Sequence, residues 1–332
     1  MTEKNIQIRL KNRPDSTPSV EDFEIFQDEM PVAGDGEILC RSLYLSLDPY
    51  MRGQISGRHI SGAIPPGEVM RGETISEVVT SNNENFKAGD LVAHQGGWQS
   101  WSVAQAADLT PVDRRIKPLS LALGVLGMPG LTAYAGMTYL ADLKEGDKLV
   151  VSAASGAVGS MVGQIARIMG CEVYGIAGSD EKCRWLVEKA GFAGCVNYKT
   201  QDLIAGLKEC CPEGIDVYFD NVGGDTLEAA MWQLALGARV VLCGLMAQYN
   251  TDVMPPGPNP ATIIKARATV RGLVVYDFFD KKQEFLDRII PWVDGGRIAY
   301  REDVTEGLEN APAAFVRLMK GKNFGKTIIR FS

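Results

Sequence analysis

The 332-residue sequence predicts an α/β protein that joins a doubly wound parallel sheet to a mainly β domain shaped as a partly open barrel. From Leu126 onward, short apolar strands alternate with helical stretches, and this alternation is typical of a parallel sheet. A glycine-rich turn follows the first of those strands. Before Leu126, turn residues separate several short alternating strands, and a partly open barrel is the natural way to close them.

The glycine-rich turn lies between the apolar run Leu149–Val151, typical of a strand buried on both faces, and a predicted helix. The helix is predicted by apolar residues at i, i+3, i+4 and i+7 beginning at Val158, and Gly170 is its expected C-terminal cap. A second strand, Cys171–Ile176, completes a strand–helix–strand unit. A dinucleotide-binding turn is expected in this context.

The turn itself, Ala154-Ser-Gly-Ala-Val-Gly159, is a dinucleotide fingerprint with alanine in the first glycine position. Gly156 would let the backbone approach a pyrophosphate, and Gly159 would let the helix pack closely on the strand. Phosphates would bind the free N–H groups at the helix N-terminus. A purely structural turn is the alternative, and the strand–helix–strand context favours nucleotide binding over it.

The end of the second strand predicts which nucleotide is bound. An NAD site would place Asp or Glu about 20 residues beyond the fingerprint, to bind the adenosine ribose. This chain has Ala177-Gly-Ser179 there instead. Small residues leave room for a 2′-phosphate, and Lys182 can neutralise its charge. Ser179 can also cap a helix with Lys182 as a solvated first-turn residue, and both roles are compatible. NADPH is therefore favoured over NADH.

Composition excludes several classes of protein. The net charge of −7, with no basic block to offset it, argues against a nucleic-acid or membrane-surface protein. No run approaches the ~20 apolar residues of a membrane span, and residues 1–5 do not resemble a signal peptide. Seven scattered cysteines without a CxxC pair suit free thiols in a reducing cytoplasm. Because His59 and His94 are the only histidines, three-histidine metal sites are excluded.

The predicted elements divide the chain into two domains. Residues 1–124 would form the barrel, with strands at Ile6–Leu10, Glu37–Leu45, Glu73–Val79 and within 87–93. Residues 125–296 would form the parallel sheet, whose later strands are Cys195–Tyr198, Ile215–Phe219, Ala238–Cys243 and Thr269–Val275. A helix spans Phe278–Val293. Residues 297–332 carry an amphipathic helix through Leu308 and Leu318 and a strand, Thr327–Phe331, expected to rejoin the barrel. The barrel domain would then be discontinuous.

Besides the fingerprint, the chain contains nine short motifs on which a family resemblance rests. They are Leu45-Ser-Leu-Asp-Pro-Tyr-Met-Arg52, Gly127-Met-Pro-Gly-Leu-Thr-Ala-Tyr134, Gly178-Ser-Asp-Glu-Lys182, Asn197-Tyr-Lys199, Asp220-Asn-Val-Gly-Gly224, Cys243-Gly244, Gln248-Tyr-Asn250, Pro255-Pro-Gly-Pro258 and Gly321-Lys-Asn-Phe-Gly-Lys326. Over nearly its whole length the chain resembles the zinc-independent medium-chain dehydrogenases/reductases. Within them it is similar to the branch of prostaglandin reductase/leukotriene B4 12-hydroxydehydrogenase, plant alkenal double-bond reductases and bacterial NADPH-dependent curcumin reductase. The tail Gly307-Leu-Glu-Asn-Ala-Pro312 most resembles curcumin reductase.

The resemblance implies a GroES-like substrate and catalytic domain at 1–124 and 297–332, a Rossmann NADP(H)-binding domain at 125–296, and a homodimer. It implies that Tyr50 faces the substrate and that the cofactor is bound by Gly156, Ala157, Val158, Gly159, Lys182, Tyr198, Asn221, Cys243, Gly244, Tyr249, Leu273, Val274, Val275 and Asn323. Lys182 and Tyr198 would hold the 2′-phosphate, and Asn221 with Cys243–Tyr249 would line the nicotinamide half. Alternatively, Asn221 ends a strand and Tyr50 is a packed turn aromatic.

Two departures from the wider family change the expected chemistry. Zinc-dependent relatives carry a Gly-His-Glu segment where this chain has Arg71-Gly-Glu73, and their four-cysteine loop is missing, so we expect catalysis without a Lewis-acid metal. Mammalian prostaglandin reductases have a tyrosine after Pro-Pro-Gly-Pro that has been proposed to act on the carbonyl. This chain has Lys265 there, which favours Tyr249 for that role.

The expected activity is NADPH-dependent reduction of the carbon–carbon double bond of small-molecule enals and enones. Hydride would reach the β-carbon, charge would develop on the carbonyl oxygen as an enolate, and a proton would arrive at the α-carbon from an acid or water. The Tyr249 hydroxyl and the ribose 2′-hydroxyl are candidates to stabilise that charge. The substrate cleft is expected between the two domains, at the carboxyl ends of the strands.

Three alternatives to this activity differ in class. The chain could be a quinone reductase of the same superfamily, an NADPH-binding sensor or structural protein without turnover, or a methyltransferase with a similar glycine-rich turn. The retained Tyr50, Tyr249 and Asn323 argue against loss of turnover. Lys182 favours a phosphorylated ribose and so argues against the methyltransferase.

Overall fold

The computed structural model describes residues 4–251 and 255–332. The chain divides into two compact units. The split unit comprises the residues up to Gly124 together with Glu302–Ser332, and the inserted unit is Val125–Arg301. The sequence predicted the second boundary at 296/297, whereas residues 297–301 lie with the inserted unit. Gln164 holds this segment, because its side chain donates to the Ala299 carbonyl oxygen at 2.8 Å and accepts from the Ala299 N–H at 2.7 Å.

The strands are numbered in chain order as β1 Lys4–Leu10, β2 Phe23–Glu29, β3 Glu37–Ser46, β4 Thr74–Ser81, β5 Leu91–His94, β6 Trp101–Gln105, β7 Thr110–Pro111, β8 Lys148–Val151, β9 Glu172–Ala177, β10 Gly194–Asn197, β11 Ile215–Asp220, β12 Leu234–Leu242, β13 Thr269–Gly272, β14 Glu302–Glu306 and β15 Lys326–Arg330. The α-helices are α1 Met51–Ser56, α2 Met128–Ala135, α3 Ala157–Ile168, α4 Asp180–Glu188, α5 Leu203–Cys210, α6 Gly224–Trp232, α7 Ala261–Ala266, α8 Lys282–Asp294 and α9 Ala311–Met319. Short 3-10 helices include Val275–Lys281 and Leu308–Asn310, and Gly136–Leu140 forms a π-helix after α2. Within the described residues, none of these helices is both long and apolar enough to cross a membrane.

The split unit is mainly β, as predicted. Its larger sheet has the order β14-β15-β3-β4-β5-β7, β6 also pairs with β3, and β1 pairs with β2. The late strand β15 pairs antiparallel with β3, with Ile328 opposite Ser46. The sequence did not predict β2, β6, β7 or β14. In β2 and β14 the exposed residues interrupt the apolar alternation that marks a half-buried strand, and β7 has only two residues.

The inserted unit contains the predicted doubly wound parallel sheet, in the order β10-β9-β8-β11-β12-β13. The chain builds outward from β8 through β9 to β10, then returns to place β11 on the other side of β8. The point between β8 and β11 is therefore a topological switch point, where open α/β sheets bind ligands at the carboxyl ends of their strands. Strand β13 ends at Gly272 rather than at the predicted Val275, because the chain turns there into a 3-10 helix.

Candidate active site

The fingerprint turn joins β8 to α3, and at Gly156 and Gly159 it passes close to the Ala153 carbonyl oxygen. A Cβ at Gly159 would lie 2.5 Å from the Ala153 carbonyl oxygen, so a larger residue cannot fit without displacing the turn. A Cβ at Gly156, the N-cap residue of α3, would lie 3.2 Å from the same oxygen. The turn is closed by the Gly156 N–H, which donates to that oxygen at 2.9 Å. Ala153 has a φ of 47°, a left-handed conformation that favours glycine.

The backbone N–H groups at the N-terminus of α3 are not used by the helix itself. The first N–H groups of any α-helix have no intrahelical acceptor, and in α3 they belong to Ala157, Val158 and Gly159. Together with the helix dipole they make a positive site suited to a phosphate. The first turn of α3, all of which is described, carries no acidic residue to oppose an anion. This turn can hold a pyrophosphate.

The carboxyl ends of β8 and β11 are joined by a buried hydrogen-bond network around Ser152, Asp220 and Asn221. The Ser152 hydroxyl donates to Asp220 Oδ1 at 2.8 Å and accepts from the Asn221 N–H at 2.8 Å. The Asn221 side-chain amide donates to the Ser152 carbonyl oxygen at 2.8 Å. Burial raises the pKa of the Asp220 carboxyl, and hydrogen bonds from Ser152 and Tyr218 oppose that rise. The network fixes the switch point and positions Asn221 at its opening.

The loop after β12 folds back onto this network. The N–H groups of Cys243 and Gly244 both donate to the Asp220 carbonyl oxygen, at 2.8 and 3.2 Å. Burial raises the pKa of the Cys243 thiol to about 12, so the thiol stays protonated. A Cβ at Gly244 would lie 3.1 Å from the Asn221 carbonyl oxygen and 3.4 Å from the Tyr249 hydroxyl. The Asn221 carbonyl oxygen and the Tyr249 hydroxyl therefore both lie close to Gly244.

The Tyr249 hydroxyl is half-buried and protonated. It accepts a long hydrogen bond, 3.5 Å, from the Leu245 N–H, and that contact uses a lone pair rather than the hydroxyl proton. Burial raises the pKa of Tyr249 above its ordinary value of 10.0, so the side chain is a hydrogen-bond donor at neutral pH. The fingerprint turn, Ser152, Asp220, Asn221 and the loop Cys243–Tyr249 are called the switch-point cluster below.

A second group of polar residues lies at the carboxyl ends of β9 and β10. Ser179 caps α4, and its hydroxyl accepts from the Lys182 N–H at 3.3 Å. A Cβ at Gly178 would lie 3.1 Å from Tyr198 Cε1, so glycine lets the Tyr198 ring pack on this loop. Lys182 and Tyr198, predicted to share one phosphate, thus contact the adjacent residues Ser179 and Gly178. Tyr198 is 50% exposed, in contrast to the switch-point residues.

Lys199 joins this group although the sequence analysis gave it no role. Its Nζ lies 5.9 Å from the centroid of the Tyr198 ring, and its backbone N–H donates to Asn197 Oδ1 at 3.2 Å. The Asn197 amide in turn donates to Asp180 Oδ1 at 2.6 Å and so ties β10 to the first turn of α4. Gly178, Ser179, Lys182, Tyr198 and Lys199 are called the flank cluster below. The only sequence signal for Lys199 was its place in the motif Asn197-Tyr-Lys199.

The remaining predicted residues of the inserted unit lie beyond β12. Leu273 donates its N–H to the Leu242 carbonyl oxygen at 2.9 Å and buries its side chain, which is 7% exposed. Val274 is 40% exposed and Val275 begins the 3-10 helix. Lys265 is exposed on α7. Of these residues, Leu273 is the one whose backbone is fixed directly to the end of β12.

In the split unit, Tyr50 and Asn323 lie on two loops joined by a buried ion pair. Lys326 Nζ donates to Asp48 Oδ1 at 2.6 Å and to the Leu47 carbonyl oxygen at 3.0 Å. Tyr50 is the N-cap residue of α1, and its ring lies 5.1 Å from the His59 ring, centroid to centroid. The Asn323 amide donates to the Gly325 carbonyl oxygen at 3.0 Å. Asp48 and Lys326, both inside motifs noted in the sequence, thus hold these two loops together.

The position of the zinc-ligand segment does not fit a metal site. Gly72 stands where zinc-dependent relatives have histidine, and a Cβ there would already lie 2.7 Å from Leu45 Cδ1 and 3.1 Å from the Trp98 indole. A histidine therefore has no space at this position. Within residues 4–251 and 255–332, no group of three or more His, Cys, Asp or Glu side chains is arranged to hold a metal ion. The mechanism derived below uses no metal.

Comparison with known protein families identifies the class of protein. A family described as the N-terminal domain of oxidoreductase matches residues 6–112, and a family described as zinc-binding dehydrogenase matches residues 157–292. The chain belongs to the medium-chain dehydrogenases/reductases, a two-domain family of oxidoreductases.

Within that family, the chain lies in the predicted branch of curcumin, prostaglandin and alkenal reductases. It is 42% identical to the NADPH-dependent curcumin reductase of Escherichia coli, covering 99% of this chain and 97% of that protein. It is 39% identical to the NADP(+)-dependent 2-alkenal reductase of Nicotiana tabacum, covering 99% and 98%. The structure of CurA from Vibrio vulnificus in complex with NADPH superposes with a TM-score of 0.94 at 42% identity, covering 98% of this chain and 99% of that one.

Proposed function

We propose that this protein is an NADPH-dependent reductase of the carbon–carbon double bond in α,β-unsaturated aldehydes and ketones. The observation that carries the proposal is similarity over 99% of the chain to reductases whose names specify NADPH and NADP(+) and the substrates curcumin and 2-alkenals. The geometry of the inserted unit supports it, because a dinucleotide turn and a protonated tyrosine hydroxyl lie at the same edge of one sheet.

The residues of the inserted unit fit NADPH. Gly156 and Gly159 have no side chains and so leave the N-terminus of α3 open to a pyrophosphate; an added Cβ would lie 3.2 Å and 2.5 Å from the Ala153 carbonyl oxygen, respectively. Lys182 and Tyr198 would hold the 2′-phosphate, and Lys199 would add a second positive charge. The nicotinamide half is assigned to Asn221, Cys243, Gly244, Tyr249, Leu273, Val274 and Val275. When bound, NADPH supplies the hydride that is added to the β-carbon of the substrate.

Tyr249 is assigned the role of stabilising the substrate carbonyl oxygen as it becomes negative. Its pKa lies above the ordinary value of 10.0, so it carries the proton needed to donate a hydrogen bond at neutral pH. That bond strengthens as charge develops on the oxygen, and so it favours the transition state over the ground state. The Asp220 network holds the loop that carries Tyr249 and so positions the hydroxyl. Tyr50 is assigned to the substrate and Asn323 to the cofactor by family resemblance.

The test is NADPH consumption by the purified enzyme with short alkenals, aryl enones, curcumin-like dienones and quinones. We expect enones and enals to be reduced with higher kcat/KM than quinones. With NADPH deuterated at the transferred position, the label should appear on the β-carbon of a saturated carbonyl product, as read by NMR.

Three outcomes would contradict the proposal. Label on the carbinol carbon would show carbonyl reduction instead, and faster quinone reduction would indicate a quinone reductase. Tight NADPH binding with no turnover of any enone would indicate a sensor. Each outcome points to a different alternative, so the experiment separates them.

We further propose that the enzyme is a cytoplasmic homodimer. Seven free cysteines suit a reducing compartment. Among the described residues, β13 pairs only with β12, and its other edge is exposed together with Val270 and the nearby Leu236, which is 72% exposed. The exposed edge of a strand carries unpaired backbone N–H and C=O groups and is a template for pairing with another chain. Light scattering should give twice the mass of one chain, and the mass of a single chain would contradict the dimer.

A further inference from the structure

Two cysteines meet between α4 and β10, outside every role assigned above. The Cys195 thiol donates to the Cys183 sulfur with the two Sγ atoms 2.7 Å apart, and neither cysteine forms a disulfide. Both side chains are half-buried, so small oxidants in solution can reach them. An S–S bond is about 2.05 Å long, and joining these sulfurs needs little movement. The two thiols are therefore close enough to form a disulfide bond on oxidation.

The surroundings make the two thiols unequal. Cys183 lies in the first turn of α4, where the helix dipole favours a negative charge. The hydrogen bond from Cys195 lowers the pKa of Cys183, and burial and the nearby Asp180 oppose this effect. The same hydrogen bond, with burial, raises the pKa of Cys195. This difference favours Cys183 as the attacking thiolate and Cys195 as the thiol that resolves its oxidation.

We infer that Cys183 and Cys195 form an oxidisable pair, which an alkyl hydroperoxide converts into an intramolecular disulfide. The Cys183 thiolate attacks the terminal peroxide oxygen and becomes a sulfenic acid, while the O–O bond breaks and an alcohol leaves after taking up a proton. The Cys195 sulfur then attacks the sulfenic sulfur, forming the S–S bond and releasing water. Overall, two thiols are oxidised and one hydroperoxide is reduced to an alcohol and water.

The position of the pair gives the disulfide a structural consequence. Cys183 directly follows Lys182, and Cys195 lies on the strand that leads to Tyr198. The disulfide would tie the first turn of α4 covalently to β10, which the Asn197–Asp180 hydrogen bond now joins. This modification site stands independently of the proposed reductase activity, because its chemistry uses neither NADPH nor an enone.

The test is peptide mapping of the native, reduced protein after exposure to tert-butyl hydroperoxide and quenching with N-ethylmaleimide. Digestion after glutamate separates the relevant cysteines into peptides 182–188, 189–209 and 210–213. We expect peptides 182–188 and 189–209 to be cross-linked, with a mass about 2 Da below their sum, and to separate again with dithiothreitol. Trypsin would not serve, because it cuts on both sides of Cys183.

Variants identify the attacking and resolving sulfurs. Cys195→Ser should abolish the cross-link and leave Cys183 as a sulfenic acid that dimedone captures. Cys210→Ser, the matched control at a half-buried cysteine beyond β10, should keep the cross-link. A cross-link to peptide 210–213, or full alkylation of Cys183 and Cys195 after the exposure, would overturn the inference.

Discussion

The switch-point cluster and the flank cluster lie on the same edge of one sheet, yet their polar groups are held in opposite ways. Asp220 and Asn221 are 0% and 8% exposed and exchange hydrogen bonds with Ser152, which directly follows the neighbouring strand β8. Tyr198 is 50% exposed and Lys199 is in solvent. A buried network is fixed before any ligand arrives, whereas an exposed charge acts through a solvated, screened field.

This difference in burial indicates that the two clusters suit different parts of the proposed function. A group that must stabilise developing charge gains most where water is excluded and its position is set, as at Tyr249. A group that selects a phosphorylated ribose can act from the surface, because a phosphate carries its charge whether or not it is buried. We therefore expect substitutions in the switch-point cluster to cost more than substitutions in the flank cluster.

The largest effect is expected from Gly159→Ala. The added Cβ would lie 2.5 Å from the Ala153 carbonyl oxygen, so α3 must move away from β8. We expect the Kd for NADPH, from fluorescence titration, to rise about 100-fold or more, or ~2.7 kcal/mol. Overpacking should also lower the free energy of unfolding by about 3 kcal/mol. Gly272→Ala, where nothing lies within 4 Å of the new Cβ, is the matched control. Equal stability of both variants would show that the turn is not tight.

Tyr249→Phe should give the next largest effect. The lost hydrogen bond is worth most in the transition state, so kcat for an enone should fall about 10- to 1000-fold, or ~1.4 to 4 kcal/mol. The NADPH Kd, measured in parallel, should change little. Lys265→Ala serves as the control, because Lys265 is exposed on α7 and should matter far less. A nearly inactive Lys265→Ala enzyme beside an unchanged Tyr249→Phe enzyme would reverse the assignment.

Lys182→Ala tests the flank cluster and should have a smaller effect. Loss of one phosphate partner should raise KM for NADPH about tenfold, or ~1.4 kcal/mol, and leave KM for NADH nearly unchanged. Added salt should reduce the difference between wild type and variant, because the site is partly exposed to solvent. Lys189→Ala, an exposed lysine just after the same helix, is the control. If NADPH and NADH respond equally, Lys182 is only a surface residue.

The smallest effect is expected from a metal chelator, which should leave the enone reductase activity unchanged. Gly72 lies outside both clusters and leaves no space for a histidine ligand. We expect the kcat of enone reduction to be the same before and after dialysis against EDTA. Stoichiometric zinc in the purified protein, with activity lost when it is removed, would contradict the metal-free mechanism.

The sequence predicted the parts of this molecule that have local signals. Apolar runs such as Leu149–Val151 and the spacing that begins at Val158 indicated the strand, the helix and the turn between them. The Ser152–Asp220 hydrogen bond joins residues far apart in sequence, so no local pattern predicted it. The Lys326–Asp48 pair was missed for the same reason, although each residue lies in a recognised motif. The roles of Tyr249 and Lys182 remain predictions.

The pairing of β15 with β3 has a consequence for how the chain folds during synthesis. Strand β3 leaves the ribosome early, but its neighbour β15 follows only after the whole inserted unit has been made. The inserted unit is one continuous stretch and can complete its own sheet first, as domains do when they fold during translation. Until β15 arrives, the end of β3 at residues 44–46 lacks its partner strand and the Asp48 carboxylate lacks Lys326. A chain that ends at Arg301 and has been released from the ribosome would therefore hold a finished parallel sheet and an unfinished barrel.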